Sequence, residues 1–201
     1  MRMLIIGPPG SGKGTQAARI SERLGLVAIS TGDIFRAHVK GGTPLGMEAM
    51  KFMDNGDFVP DSVTNEMVRN RLSQDDASNG FLLDGYPRTT AQVDNLDGIL
   101  AMGEHELAVV LQLTADDDVL VARLLGRAQE KGRSDDNESV IRHRLELHHQ
   151  QTAAVVASYA ERGILTRVDG IGVVGEITDR MMAAAGDLGL RPLHDGASVP
   201  R

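Results

Sequence analysis

The stretch 4–15, LIIGPPGSGKGT, decides the fold of this chain. An apolar run over residues 3–6 leads into a glycine-rich loop, which closes on Lys13 and continues into a helical-looking segment. Glycines permit unusual backbone angles in such a loop, and its amide N–H groups can point at an anion beside a helix N-terminus. The lysine can then reach the terminal phosphates. The order of strand, glycine loop, lysine and helix therefore predicts a P-loop that binds a nucleoside triphosphate.

One residue departs from the strict P-loop pattern. The spacing from Gly7 to Gly12 and Lys13 fits, but Gly14 takes the place of the usual Ser or Thr, and the hydroxyl comes one residue later at Thr15. The alternative is a glycine-rich turn with an incidental lysine, which the preceding strand and the following helix disfavour. The loop by itself indicates nucleotide binding and leaves the reaction open.

Composition bounds the class of protein. The chain has 201 residues, enough for one sizeable core with small insertions. Its net charge of −7 argues against non-specific nucleic-acid binding, and no apolar run is long enough to cross a membrane. The sequence has no cysteine, which excludes disulfides and thiolate metal sites. We therefore expect a cytoplasmic protein without a signal peptide, which binds neither nucleic acid nor membranes.

Continuous apolar runs near residues 3–6, 26–29, 81–83, 107–113 and 164–168 alternate with helical patterns. Such runs are typical of strands that are buried on both faces of a parallel sheet. The chain is therefore predicted to form an α/β fold with a doubly wound, five-stranded parallel sheet.

The segments between and after the strands carry their own predictions. Residues 30–60 hold helices and turns only, which predicts a small helical insertion over the carboxyl edge of the sheet. Residues 128–132 are predicted to form a short polar loop, and Asp135 with Glu138 to cap the long helix that follows. The tail over 189–201 lacks periodicity and is expected to be partly disordered.

Polar side chains follow two of the predicted strands, at the edge where parallel sheets bind ligands. Thr31 and Asp33 come directly after the second strand, at the start of a helix that Ser30 is predicted to cap. Asp84 ends the third strand and resembles the acidic residue that orders Mg²⁺ through water beside a P-loop. Arg88 leaves the sharp turn that follows. Asp84 could instead be an ordinary turn residue, and Arg88 a surface charge. Their position after a buried strand disfavours both alternatives.

The turn after the third strand is predicted to contain a cis peptide bond between Tyr86 and Pro87. Gln92, one turn into the next helix, is expected near Arg88 because of their i,i+4 spacing. Arg36, one turn into the helix after the second strand, is by itself better explained as a solvated surface charge.

Five arginines crowd the stretch from residue 123 to residue 144 of an otherwise acidic chain. A planar guanidinium binds phosphate oxygens in pairs, so the cluster favours phosphate binding. A solvated helix pair with aspartate–arginine bridges is the alternative, which the two phosphate-type stretches described above disfavour. His143, His148 and His149 do not share one helical face, so no metal site is expected there. The arginines are Arg123, Arg127, Arg133, Arg142 and Arg144.

Taken in order, these motifs resemble those of the adenylate kinase family, in which a glycine after the P-loop lysine is normal. The resemblance covers residues 1 to about 188 and implies a P-loop NTPase fold. The motifs are GPPGSGKGT at 7–15, STGDIFR at 30–36, FLLDGYPR at 81–88 with Gln92, RLLGR at 123–127, and Arg133 with Asp135-Asp136.

The family resemblance also implies a division of the chain. The core domain would comprise 1–29, 61–125 and 135–188, with an AMP-binding insertion over 30–60 and a short lid over 126–134. The commonest bacterial form has a long, sometimes zinc-binding insert in the lid. The short type that this sequence resembles lacks that insert, so no zinc is expected.

The activity that the resemblance implies is a phosphotransferase reaction, in which ATP and AMP are converted reversibly into two ADP with Mg²⁺. ATP, AMP and ADP would be the partners of a monomer, and Asp84 and Asp33 would act on Mg²⁺ through water without a direct protein ligand. The ATP-binding residues would be Gly10, Ser11, Gly12, Lys13, Gly14, Thr15, Arg123, Arg127 and Gly172. The AMP-binding residues would be Thr31, Arg36, Met53, Asp57, Phe58, Val59, Gly85, Tyr86, Pro87, Arg88, Gln92, Arg133 and Arg144. The catalytic positive charge would come from Lys13, Arg88, Arg123, Arg133 and Arg144.

Two other functions stay open at this point. A UMP/CMP kinase shares the fold and the basic sites, although Thr31 and Gln92 match the adenine-recognising positions of adenylate kinases. A nucleotide-dependent regulatory module would need the P-loop, but it would not need arginines on two separate flaps.

Overall fold

Five parallel strands form one sheet in the order β2-β3-β1-β4-β5, with helices between them, as the sequence predicts. The computed structural model describes residues 1–131 and 137–187. The strands are β1 (Arg2–Ile6), β2 (Val27–Ser30), β3 (Phe81–Asp84), β4 (Val109–Thr114) and β5 (Leu165–Asp169). The α-helices are α1 (Lys13–Leu24), α2 (Thr31–Lys40), α3 (Pro44–Met53), α4 (Asp61–Leu72), α5 (Thr90–Met102), α6 (Asp117–Lys131), α7 (Glu138–Glu161) and α8 (Val174–Asp187).

The central strand of the sheet is β1, which pairs with β3 on one side and with β4 on the other. In register, Ile5 lies opposite Asp84, and Ile6 lies opposite Gln112. The chain leaves the carboxyl end of β1 where the direction of winding reverses, which is where doubly wound sheets bind ligands. The P-loop begins at this point.

Two apolar layers cover the sheet, and β1 presents its side chains to them alternately. Leu4 packs in the layer that contains Leu96 of α5 and Val155 of α7. Ile5 packs in the opposite layer, with Ile20 of α1 and Met181 of α8. Burial on both faces accounts for the continuous apolar runs in the sequence.

A third apolar cluster holds α6 against α7, apart from the two layers on the sheet. Leu120 and Leu124 of α6 pack with Ile141 and Leu145 of α7. This helix pair therefore has its own core, and it carries several of the arginines that were predicted to bind phosphate.

The segment between β2 and α4 consists of helices and turns only, as predicted. Ser30 caps α2, because its hydroxyl accepts a hydrogen bond from the N–H of Asp33 at 3.3 Å. α2 and α3 pack closely, and Gly46 makes the close approach possible. A Cβ at Gly46 would collide with the backbone carbonyl of His38.

Two sequence-based expectations for the stretch from residue 128 to residue 138 are wrong. α6 continues to Lys131, so the polar loop predicted over 128–132 is helical over its first four residues, because Ala, Gln, Glu and Lys are good helix formers. Asn137 rather than Asp135 caps α7, and its side chain accepts from the N–H of Val140 at 3.0 Å. Asp135 lies outside the described residues, as does the tail over 189–201.

None of the helices within residues 1–131 and 137–187 combines the length and the apolar character that crossing a bilayer requires.

Candidate active site

A cavity of about 580 Å³ opens at the carboxyl edge of the sheet, beyond the end of β1. Its walls come from the P-loop, the start of α2, the connector after α3, the turn after β3, and the facing sides of α6 and α7. Segments far apart in the chain thus meet around one space, because the strands that precede them are parallel and end at the same edge.

The P-loop forms the floor of this cavity. Gly10 and Gly12 adopt positive φ angles of 83° and 95°, which favour glycine, and Gly12 caps α1 without a side-chain hydrogen bond. No capping side chain therefore accepts hydrogen bonds from the backbone N–H groups in the first turn of α1. This arrangement is typical of an anion site at a helix N-terminus. Lys13 donates from Nζ to the carbonyl of Pro8 at 2.8 Å. A Cβ at Gly14 would stand 3.7 Å from Oδ2 of Asp84, an ordinary contact, so these contacts do not explain why glycine follows the lysine.

Lys13 and Asp84 form the electrostatic centre of the cavity. Burial lowers the pKa of Lys13 to about 8, which the charge of Asp84 opposes and the charges of Arg88 and Arg127 reinforce. Burial raises the pKa of Asp84, and Lys13 and Arg88 oppose that rise. Within the described part of the chain, Oδ1 of Asp84 is buried and has no hydrogen-bond partner. A buried carboxylate oxygen beside groups that are predicted to bind phosphate suits an interaction with a cation.

The junction of β2 and α2 forms a second wall. Thr31 is buried and donates from its hydroxyl to the backbone carbonyl of Asp84 at 3.3 Å. Asp33 and Arg36 form an ion pair within the first turns of α2, and both line the cavity. Arg36, which alone would read as a surface charge, therefore lies in the cavity wall.

The turn after β3 places Arg88 in the cavity. The peptide bond between Tyr86 and Pro87 is cis, as predicted. Gly85 has φ of 83°, and a Cβ there would stand only 2.6 Å from Oγ1 of Thr31. Arg88 donates from Nε to the Gly85 carbonyl at 2.8 Å, so its side chain is held by its own turn.

Both polar atoms of the Gln92 side-chain amide form hydrogen bonds within the protein. Its Oε1 accepts from the N–H of Arg88 at 2.7 Å, which confirms the predicted proximity, and its Nε2 donates to Oδ1 of Asp61 at 2.6 Å. Thr89 donates to the other carboxylate oxygen of Asp61 at 2.8 Å. One N–H and one lone pair of the Gln92 amide are left for a ligand beyond these bonds.

The arginines of α6 and α7 form the wall opposite the P-loop. Arg123 donates from Nη1 to the carbonyl of Gly170 at 3.1 Å, and Arg144 donates from Nη2 to the carbonyl of Met53 at 3.0 Å. Arg142 instead pairs with Glu138 of its own helix at 2.9 Å and does not line the cavity. Arg133 lies outside the described residues.

The structure brings most of the predicted site residues together, and leaves two of the described ones out. Ser11 is buried, and Gly172 lies in the loop between β5 and α8; neither residue lines the cavity. The predicted residues in the lining are Gly10, Gly12, Lys13, Gly14, Thr15, Thr31, Asp33, Arg36, Met53, Asp57, Phe58, Val59, Asp84, Gly85, Tyr86, Pro87, Arg88, Gln92, Arg123, Arg127 and Arg144.

Sequence reasoning missed two cavity residues on α7. His148 and Thr152 lie one and two helical turns beyond Arg144 and also line the cavity. Burial lowers the pKa of His148 to about 3, and Lys13, His149 and Arg88 lower it further by repulsion. Oγ1 of Thr152 is buried and finds no partner among the described groups. The i,i+4,i+8 spacing from Arg144 was the signal that could have found both residues.

Among the described side chains, no group of three or more His, Cys, Asp or Glu residues is arranged to hold a metal ion.

A P-loop at the switch point of a doubly wound sheet, facing a second wall and a set of arginines, defines a P-loop nucleotide-binding protein with room for more than one phosphate group. Comparison with known proteins specifies the family. The adenylate kinase family model matches residues 5–164. The chain therefore belongs to the adenylate kinase family, whose enzymes are phosphotransferases.

Individual relatives agree with the family model. The adenylate kinase of Pseudarthrobacter chlorophenolicus is 79% identical over 183 residues, which are 91% of this chain and 95% of the relative. The adenylate kinase of Renibacterium salmoninarum is 71% identical with the same coverage. The adenylate kinase of Kocuria rhizophila is 67% identical over 91% of this chain and 97% of the relative.

Proposed function

We propose that this cavity transfers the γ-phosphoryl group of ATP reversibly to AMP, giving two ADP. The observation that carries the proposal is the presence, around one cavity, of a P-loop with Lys13 and a second nucleotide wall that includes Thr31 and Gln92. Two substrates held in one space can react as neighbours instead of meeting in solution. The relatives named adenylate kinases supply the identity of the substrates.

The two nucleotides are assigned to opposite walls. The P-loop residues from Gly10 to Thr15, with Arg123 and Arg127, would hold the phosphates of ATP. Ser11 and Gly172 stay in this set as predictions, through their backbone, since neither lines the cavity. The start of α2, the connector after α3 and the turn after β3 would hold AMP. The short lid over 126–134 would cover the ATP side, and Arg133 would reach both nucleotides from it.

Positive charge, and no proton chemistry, is the catalytic contribution that we assign to the chain. An oxygen of the AMP phosphate forms a bond to the γ-phosphorus, and the bond from that phosphorus to the bridging β–γ oxygen breaks. Lys13, Arg88, Arg123 and Arg144, with Arg133, would neutralise charge that spreads over the transferred group. Arg88 is suited to this because its own turn fixes its position before substrate arrives.

Magnesium would enter with ATP. The residues present fit it, since Asp84 offers a buried carboxylate oxygen with no partner in the described part of the chain, close to the phosphate-binding lysine. When bound, Mg²⁺ would neutralise part of the phosphate charge. Asp84, and Asp33 across the cavity wall, would orient water molecules of the ion. No zinc site is proposed.

A coupled assay of ADP formation from ATP with AMP, UMP or CMP, with and without Mg²⁺, tests the proposal. We expect rapid ADP formation with AMP and Mg²⁺, a much lower rate with UMP or CMP, and almost none without the metal. A preference for UMP or CMP would favour the related pyrimidine nucleotide kinases. Tight ATP binding without ADP formation would favour a regulatory module.

Several expectations are left as predictions. They are a monomeric protein, a cytoplasmic location, and no binding to nucleic acid or membranes. Gel filtration with light scattering would measure the oligomeric state. Retention on heparin would measure binding to nucleic acid, and retention on lipid vesicles would measure binding to membranes, both at physiological salt.

A further inference from the structure

The connector between α3 and α4 rests directly on the first turns of α7. Arg144 donates from Nη2 to the carbonyl of Met53 at 3.0 Å. Gly56 has φ of 82°, and a Cβ there would stand 2.9 Å from Cγ1 of Val140. One residue further on, Nε2 of His143 lies 2.7 Å from Oδ1 of Asp57. Three successive contacts therefore join residues 53–57 to one side of α7.

The His143–Asp57 contact lies next to cavity residues. Phe58 and Val59 follow Asp57 directly and line the cavity on its AMP side. The guanidinium of Arg88 lies over the ring of Phe58, 4.9 Å from its centroid. The position of Asp57 therefore influences where the Phe58 ring stands, and through that ring it influences the environment of Arg88.

We propose that His143 is a positioning residue for AMP. It does not line the cavity, and it acts by holding the connector over 54–60 against α7, so that Phe58 and Val59 are in place when AMP binds. The imidazole can donate a hydrogen bond to Asp57 when neutral and form an ion pair with it when protonated. His143 was considered in the sequence only as a metal ligand, and the structure gives it a different partner.

The expected size of the effect follows from exposure. The side chains of His143 and Asp57 are 43% and 45% exposed, so solvent weakens their interaction. Contacts between half-exposed charged partners change an equilibrium by about 2–5-fold. An effect of this size on AMP binding is measurable, and it is too small to abolish the reaction.

Steady-state kinetics of His143→Ala provides the first test. We expect the KM for AMP to rise about 2–5-fold, while kcat and the KM for ATP stay unchanged. His149→Ala is the matched control. His149 lies on α7, as His143 does, and it also pairs with an aspartate, but that aspartate is Asp117 of α6, at 3.2 Å, and not a residue of the connector. The control is expected to leave the KM for AMP unchanged.

A double-mutant cycle separates the contact from a general disturbance of α7. Asp57 is replaced by Asn or by Ala, alone and together with His143→Ala. When Asp57 is already Ala, the His143→Ala substitution should no longer change the KM for AMP. His143→Gln, which keeps a side-chain donor, should restore part of the affinity. Equal changes in the KM values for AMP and ATP, or full additivity in the cycle, would overturn the proposal.

Amide hydrogen exchange supplies a readout that does not depend on catalysis. In His143→Ala, the amides of residues 54–59 should exchange faster, while those of α4 and β3 keep the rates of the unsubstituted protein. If the protein failed to phosphorylate AMP at all, the proposed function would fail and this exchange difference would still report on the contact. Unchanged exchange over 54–59 would show that His143 does not hold the connector.

Discussion

Two buried tyrosines differ in what surrounds their hydroxyl groups. Oη of Tyr86 lies 2.8 Å from Oδ1 of Asn65, 2.8 Å from Nδ2 of Asn95 and 3.0 Å from the carbonyl of Gln92. Oη of Tyr159 has no hydrogen-bond partner within residues 1–131 and 137–187. The hydroxyl of Tyr86 is part of a hydrogen-bond network beside the candidate active site, whereas the hydroxyl of Tyr159 adds no hydrogen bond that stabilises the fold.

This contrast predicts opposite outcomes for the same substitution. Tyr86→Phe should lower the free energy of unfolding by about 1–3 kcal/mol, because it leaves the amides of Asn65 and Asn95 with a lost partner. Tyr159→Phe should leave stability unchanged or raise it slightly. Urea denaturation of both variants measures the difference, and a larger loss from Tyr159→Phe would contradict it.

The second prediction at the scale of residues concerns catalytic charge. Lys13→Ala and Arg88→Ala should each lower kcat by about 10²–10³-fold, because each removes a cation from the space where phosphate charge develops. Arg142→Ala serves as the control, since that arginine pairs with Glu138 outside the cavity. Turnover near that of the unsubstituted protein in Lys13→Ala or Arg88→Ala would refute the catalytic assignment.

Among the elements, the contact between α2 and α3 depends on one glycine. Gly46→Ala should push the two helices apart and cost about 1–3 kcal/mol of stability, because the added methyl group collides with the His38 carbonyl. Gly98→Ala in α5 is the control, since a Cβ there meets nothing within 4 Å, and it should stabilise the helix by up to about 1 kcal/mol. Thermal unfolding of the two variants gives the comparison.

The same pair of variants also tests where the damage is felt. Because α2 and α3 lie on the side of the cavity that we propose to bind AMP, Gly46→Ala should raise the KM for AMP more than the KM for ATP. An equal rise in both would mean that the two helices influence the whole site and not one wall of it.

The elements show how far a sequence carries the fold and the site. The strands, the P-loop, the Ser30 cap and the cis bond before Pro87 could be predicted, because each depends on a local pattern. The end of α6 could be predicted from helix propensity as well, since residues 128–131 are good helix formers, but their polarity by itself indicates a loop. The contacts of Gly46 with α2 and of Asp57 with His143 join residues whose meeting depends on how whole elements pack, which no local pattern records.

At the scale of the whole molecule, the burial of the charged Lys13 side chain lowers the free energy of unfolding. Its pKa is about 8 in the folded protein, and its ordinary value is 10.5. Between these two pH values the lysine is therefore mostly protonated in the unfolded chain and mostly neutral in the folded protein. Below pH 8 the folded state carries the full cost of a desolvated cation. As pH rises from 8 to 10.5 that cost is lost, and the stability that this group contributes rises.

Lys13→Met should therefore be more stable than the unsubstituted protein at pH 7 without nucleotide, by about 1–3 kcal/mol, although its kcat should fall as in Lys13→Ala. The difference should shrink as pH rises above 8 and vanish near pH 10.5. Denaturation at pH 7, 9 and 10.5 measures it. A difference that stays constant over this range would mean that the lysine is not desolvated in the folded state.

The separate core that α6 and α7 share affects how far the segment between the two helices can change in length. The two helices are held together by an apolar cluster of Leu120, Leu124, Ile141 and Leu145, so their pairing does not depend on the segment that joins Lys131 to Asn137. A segment joining two ends that are already held near each other can grow at small entropic cost. A longer segment between Lys131 and Asn137 should therefore leave the pairing of α6 with α7, and the sheet with its two layers, unchanged.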